Sequence, residues 1–328
     1  MLASVRDGFG AVRANPGLPL LVLLVNLATA ALLAAPLARV VEADLAHRDA
    51  SVDMMYGFDH GWWKEWSERQ TGWTRDLGPE LLGSGFAARS LDLLQRGELP
   101  LGLFARPRRE GDPEVATVDP VVLGLGALYL LVQALLAGGL LGVFRAPGGG
   151  WTFRGLLHGA GFYGGRLLRV TLLALLAASL LFAGDALLAR GTDALAREAV
   201  SETAALAWSL TRLALLLLAL AFLHAVSSLA KVILVLEERT SAVLAFLSGL
   251  GFCLRHPLRV LGQYGVVLLL GLGLLAAWLL VDARLEVTGY RSQLVFLVAA
   301  EAFLLARIGL RLSLLAAQVA LYRRLAGA

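Results

Sequence analysis

The stretch QLVFLVAAEAFLLARIGLRLSLLAAQVAL, from Gln293 to Leu321, is apolar over a length that crosses a bilayer. It carries three charged residues, Glu301, Arg307 and Arg311. A charge at the centre of a membrane helix costs roughly 2.5–3.5 kcal/mol on insertion scales, so such side chains usually face a protein interior, a water-filled cavity or the headgroup edge. Arg307 and Arg311 are one helical turn apart and share a face. The segment therefore predicts a membrane helix with a candidate site for an anionic group.

Similar apolar runs occur along the whole chain of 328 residues, which is 58% hydrophobic and only 16% charged. Soluble domains carry about 25% charged residues. About 20 consecutive apolar residues suffice to span the hydrocarbon core. Five further runs reach that length: 17–37, 121–144, 167–188, 204–236 and 258–281. The predicted fold is an all-α, polytopic membrane bundle of about six transmembrane helices.

The charges of the connecting segments predict the orientation of the chain. Short cytoplasmic loops of membrane proteins are enriched in Lys and Arg. Segments 145–166 and 237–259 are basic, as are both ends of the chain, whereas segment 38–120 holds ten basic and fifteen acidic residues. Both termini are therefore predicted to be cytoplasmic. We expect a multi-pass protein of a bacterial inner membrane, in which a net charge of +4 reflects loop arginines and not nucleic-acid binding.

Three segments resemble one another and predict an internal repeat. Each is amphipathic, is flanked by basic residues and contains Gly-x-Gly shortly before a span: Val5–Val25 with Gly8 and Gly10, Leu156–Leu176 with Gly159 and Gly161, and Phe246–Val266 with Gly249 and Gly251. This pattern is typical of helices that lie in the cytoplasmic interface. We expect each helix to enter its span through a Pro or Gly break. The alternative is that any short basic amphipathic segment before a span looks like this.

Three regions follow from these patterns: 1–37 with an interfacial helix and the first span, 38–120 as an extracytoplasmic insertion, and 121–328 with five spans and two interfacial helices. In the insertion, Trp62 and Trp66 share a helical face. We interpret the insertion as an interfacial cap, with a recognition surface for headgroups, peptidoglycan or a partner as the alternative. Its His and Asp residues match no metal signature, so no metal site is predicted: His47, Asp49, Asp53, Asp59 and His60.

The charged residues inside the spans are the candidate binding site. Arg212 and Glu301 each lie about eight residues into runs that begin on the outer side, so they could pair, although Arg212 could also snorkel to the headgroups. Arg307 and Arg311 repel each other and call for an anion nearby. The alternatives are Glu237 or Glu238, a lipid phosphate, or an anionic substrate, for which the planar guanidinium is well suited.

Other polar and small residues in the spans predict packing. Asn26, Gln133, Gln263 and Gln318 are expected to join helices by hydrogen bonds, and Gly138-x-x-x-Gly142 allows close helix packing. The single cysteine, Cys253, excludes an intramolecular disulfide and is expected to be a buried packing residue.

Motifs of catalysis are missing from the sequence. No P-loop, H-E-x-x-H, C-x-x-C or G-x-S-x-G occurs. We therefore expect no catalytic residues, no enzymatic activity and no cofactor.

Two stretches carry a resemblance to known proteins. They are Lys231–Thr240 (KVILVLEERT) and Ser248–Pro257 (SGLGFCLRHP). With the loop pattern around them, residues 120–328 resemble uncharacterised six-helix bacterial inner-membrane proteins. They are also similar to the membrane domain that accompanies some glycerophosphodiester phosphodiesterases. The catalytic domain of those enzymes has no counterpart here, so the resemblance does not imply that activity.

Three functional hypotheses follow. The first is a non-enzymatic inner-membrane protein in envelope or lipid handling, with an anionic lipid near Arg307 and Arg311. The second is a transporter or channel subunit, and the third is a structural or scaffold subunit bound to a membrane-protein partner. The phospholipid membrane is the partner common to all three.

Overall fold

A computed structural model describes residues 2–46, 59–70, 74, 120–146, 150–198, 201–285 and 289–326 of the chain. Most of the insertion lies outside these ranges, including His47, Asp49 and Asp53, so the absence of a metal site there stays a prediction.

The described ranges contain nine α-helices and no strand, which confirms the all-α fold. The helices are α1 (Leu2–Arg13), α2 (Gly17–Leu45), α3 (His60–Arg69), α4 (Pro120–Arg145), α5 (Phe153–Glu198), α6 (Glu202–Leu236), α7 (Ala242–Arg255), α8 (Pro257–Asp282) and α9 (Tyr290–Ala326). Five of them, α4, α5, α6, α8 and α9, are long and apolar enough to cross a membrane. A sixth span results if α1 and the start of α2 count as one broken helix, bent by 74°. The architecture fits an integral membrane protein with several spans.

The breaks before the spans follow the prolines. The chain bends between α1 and α2 near Pro16, and α7 ends at Arg255 before Pro257 takes the first position of α8. Proline is favoured at this position because it has no N–H to leave unsatisfied. The break predicted for the middle segment is wrong, because α5 runs without interruption from Phe153 to Glu198. Leu167 stands where the other two segments carry proline, so nothing interrupts the helix there.

The helices form two compact units. The first comprises Met1–Ala35, Tyr129–Leu173 and Ala225–Ala328; the second comprises Pro36–Leu128 and Ala174–His224. In the second unit, Trp62, Trp63 and Trp66 of α3 are buried against the apolar side chains of α2. The Trp62 ring nitrogen donates to Asp44 at 2.9 Å. The predicted shared face of Trp62 and Trp66 is confirmed, since their rings stack 5.7 Å apart.

In the first unit, the same kind of backbone contact occurs three times. The first glycine of each Gly-x-Gly lies against the backbone of a long helix: Gly8 against Ser313 and Ala317 of α9, Gly159 against Gly138 and Gly139 of α4, and Gly249 against Val226 and Ala230 of α6. A Cβ atom added at Gly249 would lie 2.8 Å from the Val226 carbonyl oxygen. The second glycines, Gly10, Gly161 and Gly251, have no such neighbour within 4 Å.

Hydrogen bonds of polar side chains join further pairs of helices, as predicted for the polar residues of the spans. Gln133 donates to Asn26 at 2.8 Å. Gln263 donates to the Ser4 hydroxyl at 2.8 Å and to the Ala317 carbonyl at 3.0 Å. Gln318 accepts from Ser228 and donates to the Tyr264 hydroxyl. The predicted contact of Gly138 and Gly142 is also confirmed, because both lie against Gly159.

The glycine contacts predict opposite effects for neighbouring alanine substitutions. Gly8→Ala and Gly249→Ala force backbone apart, and we expect each to lower the free energy of unfolding by about 1–3 kcal/mol. Gly10→Ala and Gly251→Ala are the matched controls. They meet open space, and we expect a gain of about 0.5–1 kcal/mol from the higher helix propensity of alanine. Unfolding in detergent measures both, and equal effects within a pair would contradict the contact.

The thiol of Cys253 is predicted to be unreactive. It is buried on α7, and this burial raises its pKa to about 11. The nucleophilic thiolate is then about one thiol in a thousand at pH 8. Maleimide labelling of the folded protein should proceed at least about tenfold more slowly than labelling of the exposed position in Cys253→Ala/Arg255→Cys. Equal rates for the two proteins would show that the thiol is accessible.

Candidate functional site

The two arginines of the last span lie on an exposed face of α9. Arg307 and Arg311 are both exposed, and within the described ranges no acidic side chain forms an ion pair with either. The surface of α9 around them therefore carries two charges that the described part of the protein does not neutralise.

Both carboxylates proposed as partners for these arginines are engaged elsewhere, so that part of the prediction is wrong. Glu237 accepts from the Tyr322 hydroxyl and from Arg239. Glu238 forms an ion pair with Arg145 at the end of α4. Both acids follow the last residue of α6, and the turn directs them to the ends of neighbouring helices.

A third basic residue belongs to the same neighbourhood. Lys231 of α6 is partly buried and lies within electrostatic range of Arg311. Lys231 and Arg311 repel each other, which increases the stabilisation that an anion would bring. A lysine within the fourth apolar run was the available signal in the sequence, but its proximity to Arg311 depends on how α6 and α9 pack.

Arg212 has a partner that the sequence analysis did not single out. Its guanidinium donates to Asp185 of α5 at 2.8 Å, and the two side chains are only 4% and 7% exposed. Both residues belong to the second compact unit, whereas Glu301 belongs to the first. Glu301 is half-buried, and its Oε2 atom has no hydrogen-bond partner among the described residues. The four predicted site residues thus divide into a buried ion pair at Arg212 and three charges along α9.

A network of charged and aromatic side chains connects the ends of three long helices. We call it the helix-end network; its members are Arg145, Tyr163, Glu237, Glu238, Arg239, Tyr322 and Arg323. Arg145 donates to the Tyr163 hydroxyl and to Glu238, and its carbonyl oxygen accepts from Arg323. Arg239 also donates to the Ser248 hydroxyl of α7 at 2.6 Å.

Glu238, a member of the helix-end network, has a left-handed backbone conformation that favours glycine. Its φ is 52°, and the Arg239 N–H donates to the Leu234 carbonyl at 3.0 Å, which closes the end of α6. A residue with a Cβ atom pays roughly 1–2 kcal/mol in this region. The ion pair with Arg145 gives a reason for a glutamate at this strained position.

Two cavities open beside the network, both within the first unit. The larger, of about 680 Å³, lies between α1, the end of α4 and the end of α9, and its polar lining residues are Asp7, Asn15, Arg323 and Arg324. The smaller, of about 390 Å³, is lined by residues of the network together with His158 and Phe162. Neither holds a group of ligands suited to a metal, since no cluster of three His, Cys, Asp or Glu occurs among the described residues.

Comparison with known proteins adds no relative. No family model matches the chain, and neither a curated protein nor a solved structure is significantly similar to it. The assignment of function therefore depends on the geometry alone.

The buried ion pair predicts a large, asymmetric response to substitution. Asp185→Leu leaves the Arg212 charge buried, and we expect a loss of about 3–5 kcal/mol in the free energy of unfolding. Asp185→Leu/Arg212→Met removes both charges at similar volume and should recover most of that loss. Unfolding measurements on the wild type, Asp185→Leu, Arg212→Met and the double variant complete the cycle. Additive losses would show that the pair is not coupled.

Proposed function

We propose that the chain is a non-enzymatic, multi-pass protein of a bacterial inner membrane, acting in envelope or lipid handling. In this proposal it binds the phosphate of an anionic phospholipid at Arg307 and Arg311 of α9, with Lys231 of α6 as a third cation. The observation that carries the proposal is the exposed charge of the two arginines, with which no described acidic side chain forms an ion pair; Glu237 and Glu238 serve the helix-end network.

The depth of the arginines fits the phosphate level of a leaflet. The amphipathic helix α1, with Arg6 and Arg13, contacts α9 at Ser313 and Ala317 through Gly8. If α1 lies in the interface, as its composition indicates, Arg311 is about 3 Å and Arg307 about 9 Å further along α9 at 1.5 Å per residue, so the Arg307 side chain extends back toward the interface. A guanidinium at that level meets phosphate oxygens, to which it can donate two parallel hydrogen bonds.

The exposed face of α7 also supports a position of this end of the protein at a lipid surface. Val243, Leu247 and Leu254 are 56%, 55% and 64% exposed, whereas Ala245, Gly249 and Cys253 are buried against the protein. A helix with one apolar face packed and a second apolar face exposed, with Arg255 at its end, is suited to a lipid leaflet. The lipid would then contact α7 directly.

The three glycine contacts support the internal repeat. In each proposed unit an interfacial segment packs by its first glycine on a long helix: α1 on α9, the start of α5 on α4, and α7 on α6. This arrangement brings the three segments to corresponding ends of three long helices. Together with the basic loops, it favours a cytoplasmic location for both termini.

Native mass spectrometry of protein extracted from its own membranes tests the proposal. We expect a bound anionic phospholipid on the wild type and its loss in Arg307→Gln/Arg311→Gln. At about 1 kcal/mol per basic residue near an anionic surface, removing two arginines should weaken binding roughly thirtyfold.

The matched control removes two arginines near the opposite end of α9: Arg284, which follows α8, and Arg291, in the first turn of α9. Arg284→Gln/Arg291→Gln has the same net charge and leaves the site intact, so it should retain the lipid. Equal retention by both double variants would contradict the lipid site. A stoichiometric protein partner in place of lipid would favour a scaffold. Water-soluble reagents reaching cysteines placed at 301, 307 and 311 would favour transport.

A further inference from the structure

The larger cavity exists where α1 carries a small residue at a position that is aromatic in the other two segments. Three residues after the contact glycine come Phe162 in α5 and Phe252 in α7, but Ala11 in α1. Phe252 packs into the core with its ring 5.2 Å from that of Tyr322. Phe162 borders the smaller cavity, whereas Ala11 borders the larger one. Phe162 is 47% exposed, so the comparison rests on Phe252: the space next to Ala11 lies where α1 lacks the ring that α7 packs into the core.

The lining of the larger cavity is apolar over most of its surface. Its small apolar lining residues are Ala11 of α1, Ala14 just after α1, and Ala316 and Ala320 of α9, together with Phe144 of α4. These side chains are too small to fill the gap between the helices. The volume of about 680 Å³ lies within the range of pockets that hold small ligands.

The charged groups of the lining are Asp7, in the middle of α1, and Arg323 and Arg324, in the last turn of α9. Arg324 is paired with Asp7, and one nitrogen of Arg323 donates to the Arg145 carbonyl oxygen. A guanidinium has five N–H donors, so Arg323 keeps others for a ligand. Two arginines and one aspartate leave a charge of +1 in the lining, which favours an anion.

We propose that this cavity binds a single-chain anionic amphiphile. Its hydrocarbon chain lies along Ala11, Ala14, Ala316 and Ala320, and its carboxylate or phosphate head accepts hydrogen bonds from Arg323. A cavity of this size suits one chain and not a whole two-chain phospholipid. The site is separate from Arg307 and Arg311, since twelve residues of helix between Arg311 and Arg323 span about 18 Å. The proposal does not rest on the proposed function.

Titration of the purified protein in an alkyl maltoside detergent, followed by native mass spectrometry, tests the proposal. The probes are palmitate, 1-palmitoyl lysophosphatidic acid and inorganic phosphate, each added separately. Ala11→Phe supplies the missing ring and should abolish binding of both amphiphiles. Its control, Ala3→Phe, places the same ring on the exposed face of α1 and should bind like the wild type.

A second pair of variants tests the head group without changing the volume. Arg323→Gln should weaken binding about tenfold or more through the loss of a charge-assisted hydrogen bond. Arg255→Gln removes an exposed arginine that does not line the cavity and should have no effect. Arg307→Gln/Arg311→Gln should also bind normally, which separates this site from the lipid site.

The outcomes decide the proposal as follows. Binding of one equivalent of either amphiphile supports the proposal if it is lost in Ala11→Phe and weakened in Arg323→Gln. Binding of both amphiphiles shows that a carboxylate suffices. Binding of the lysophosphatidic acid alone shows a requirement for phosphate. No saturable binding of one equivalent would overturn it. So would equal binding by Ala11→Phe and Ala3→Phe, or inorganic phosphate binding as tightly as the amphiphiles. If Ala11→Phe does not fold, the comparison of Arg323→Gln with Arg255→Gln decides.

Discussion

The first unit depends on close contact between helix backbones. The contacts are made through Gly8 of α1, Gly159 of α5 and Gly249 of α7, each of which lies against a neighbouring long helix. Within a membrane, apolar side chains gain little by leaving lipid for protein, so van der Waals packing and hydrogen bonds between helices must hold a bundle together. Glycine permits backbone to touch backbone, and the hydrogen bonds of Gln263 and Gln318 connect α8 to α1 and α9.

The distribution of charge follows from that packing. The carboxylates of Glu237 and Glu238 connect helix ends to one another, and Asp7 serves Arg324 in the same way. Once these acids are engaged, Arg307, Arg311 and Lys231 are cations for which the described residues provide no carboxylate. An anion from outside the chain would resolve the imbalance.

The sequence was sufficient to predict the helices, because a continuous apolar run of this length is stable in lipid as a helix. It also gave the packing role of Gly138 and the interhelical role of Gln133, since small and amide side chains in spans have few alternatives. It did not give the partner of Arg212. Asp185 lies in another run, and pairing between runs depends on helix rotation, which hydropathy does not specify. The same limit applies to Glu238, whose left-handed backbone depends on a turn and not on a pattern. The continuity of α5 was not predicted, because a Pro or Gly break was expected before each span and the glycines of this segment do not interrupt the helix.

The contact between α1 and α9 has a consequence for biosynthesis. These are the first and the last helices described, so α1 leaves the ribosome long before the surface that receives Gly8 exists. At translation rates of about 5–20 residues per second, the wait is on the order of tens of seconds. During that interval the face of α1 around Gly8 lacks its partner α9, and the amphipathic sequence of α1 is suited to the membrane surface. The same amphipathicity that suits α1 to an interface in the mature protein would therefore keep the nascent chain from aggregating until α9 is made.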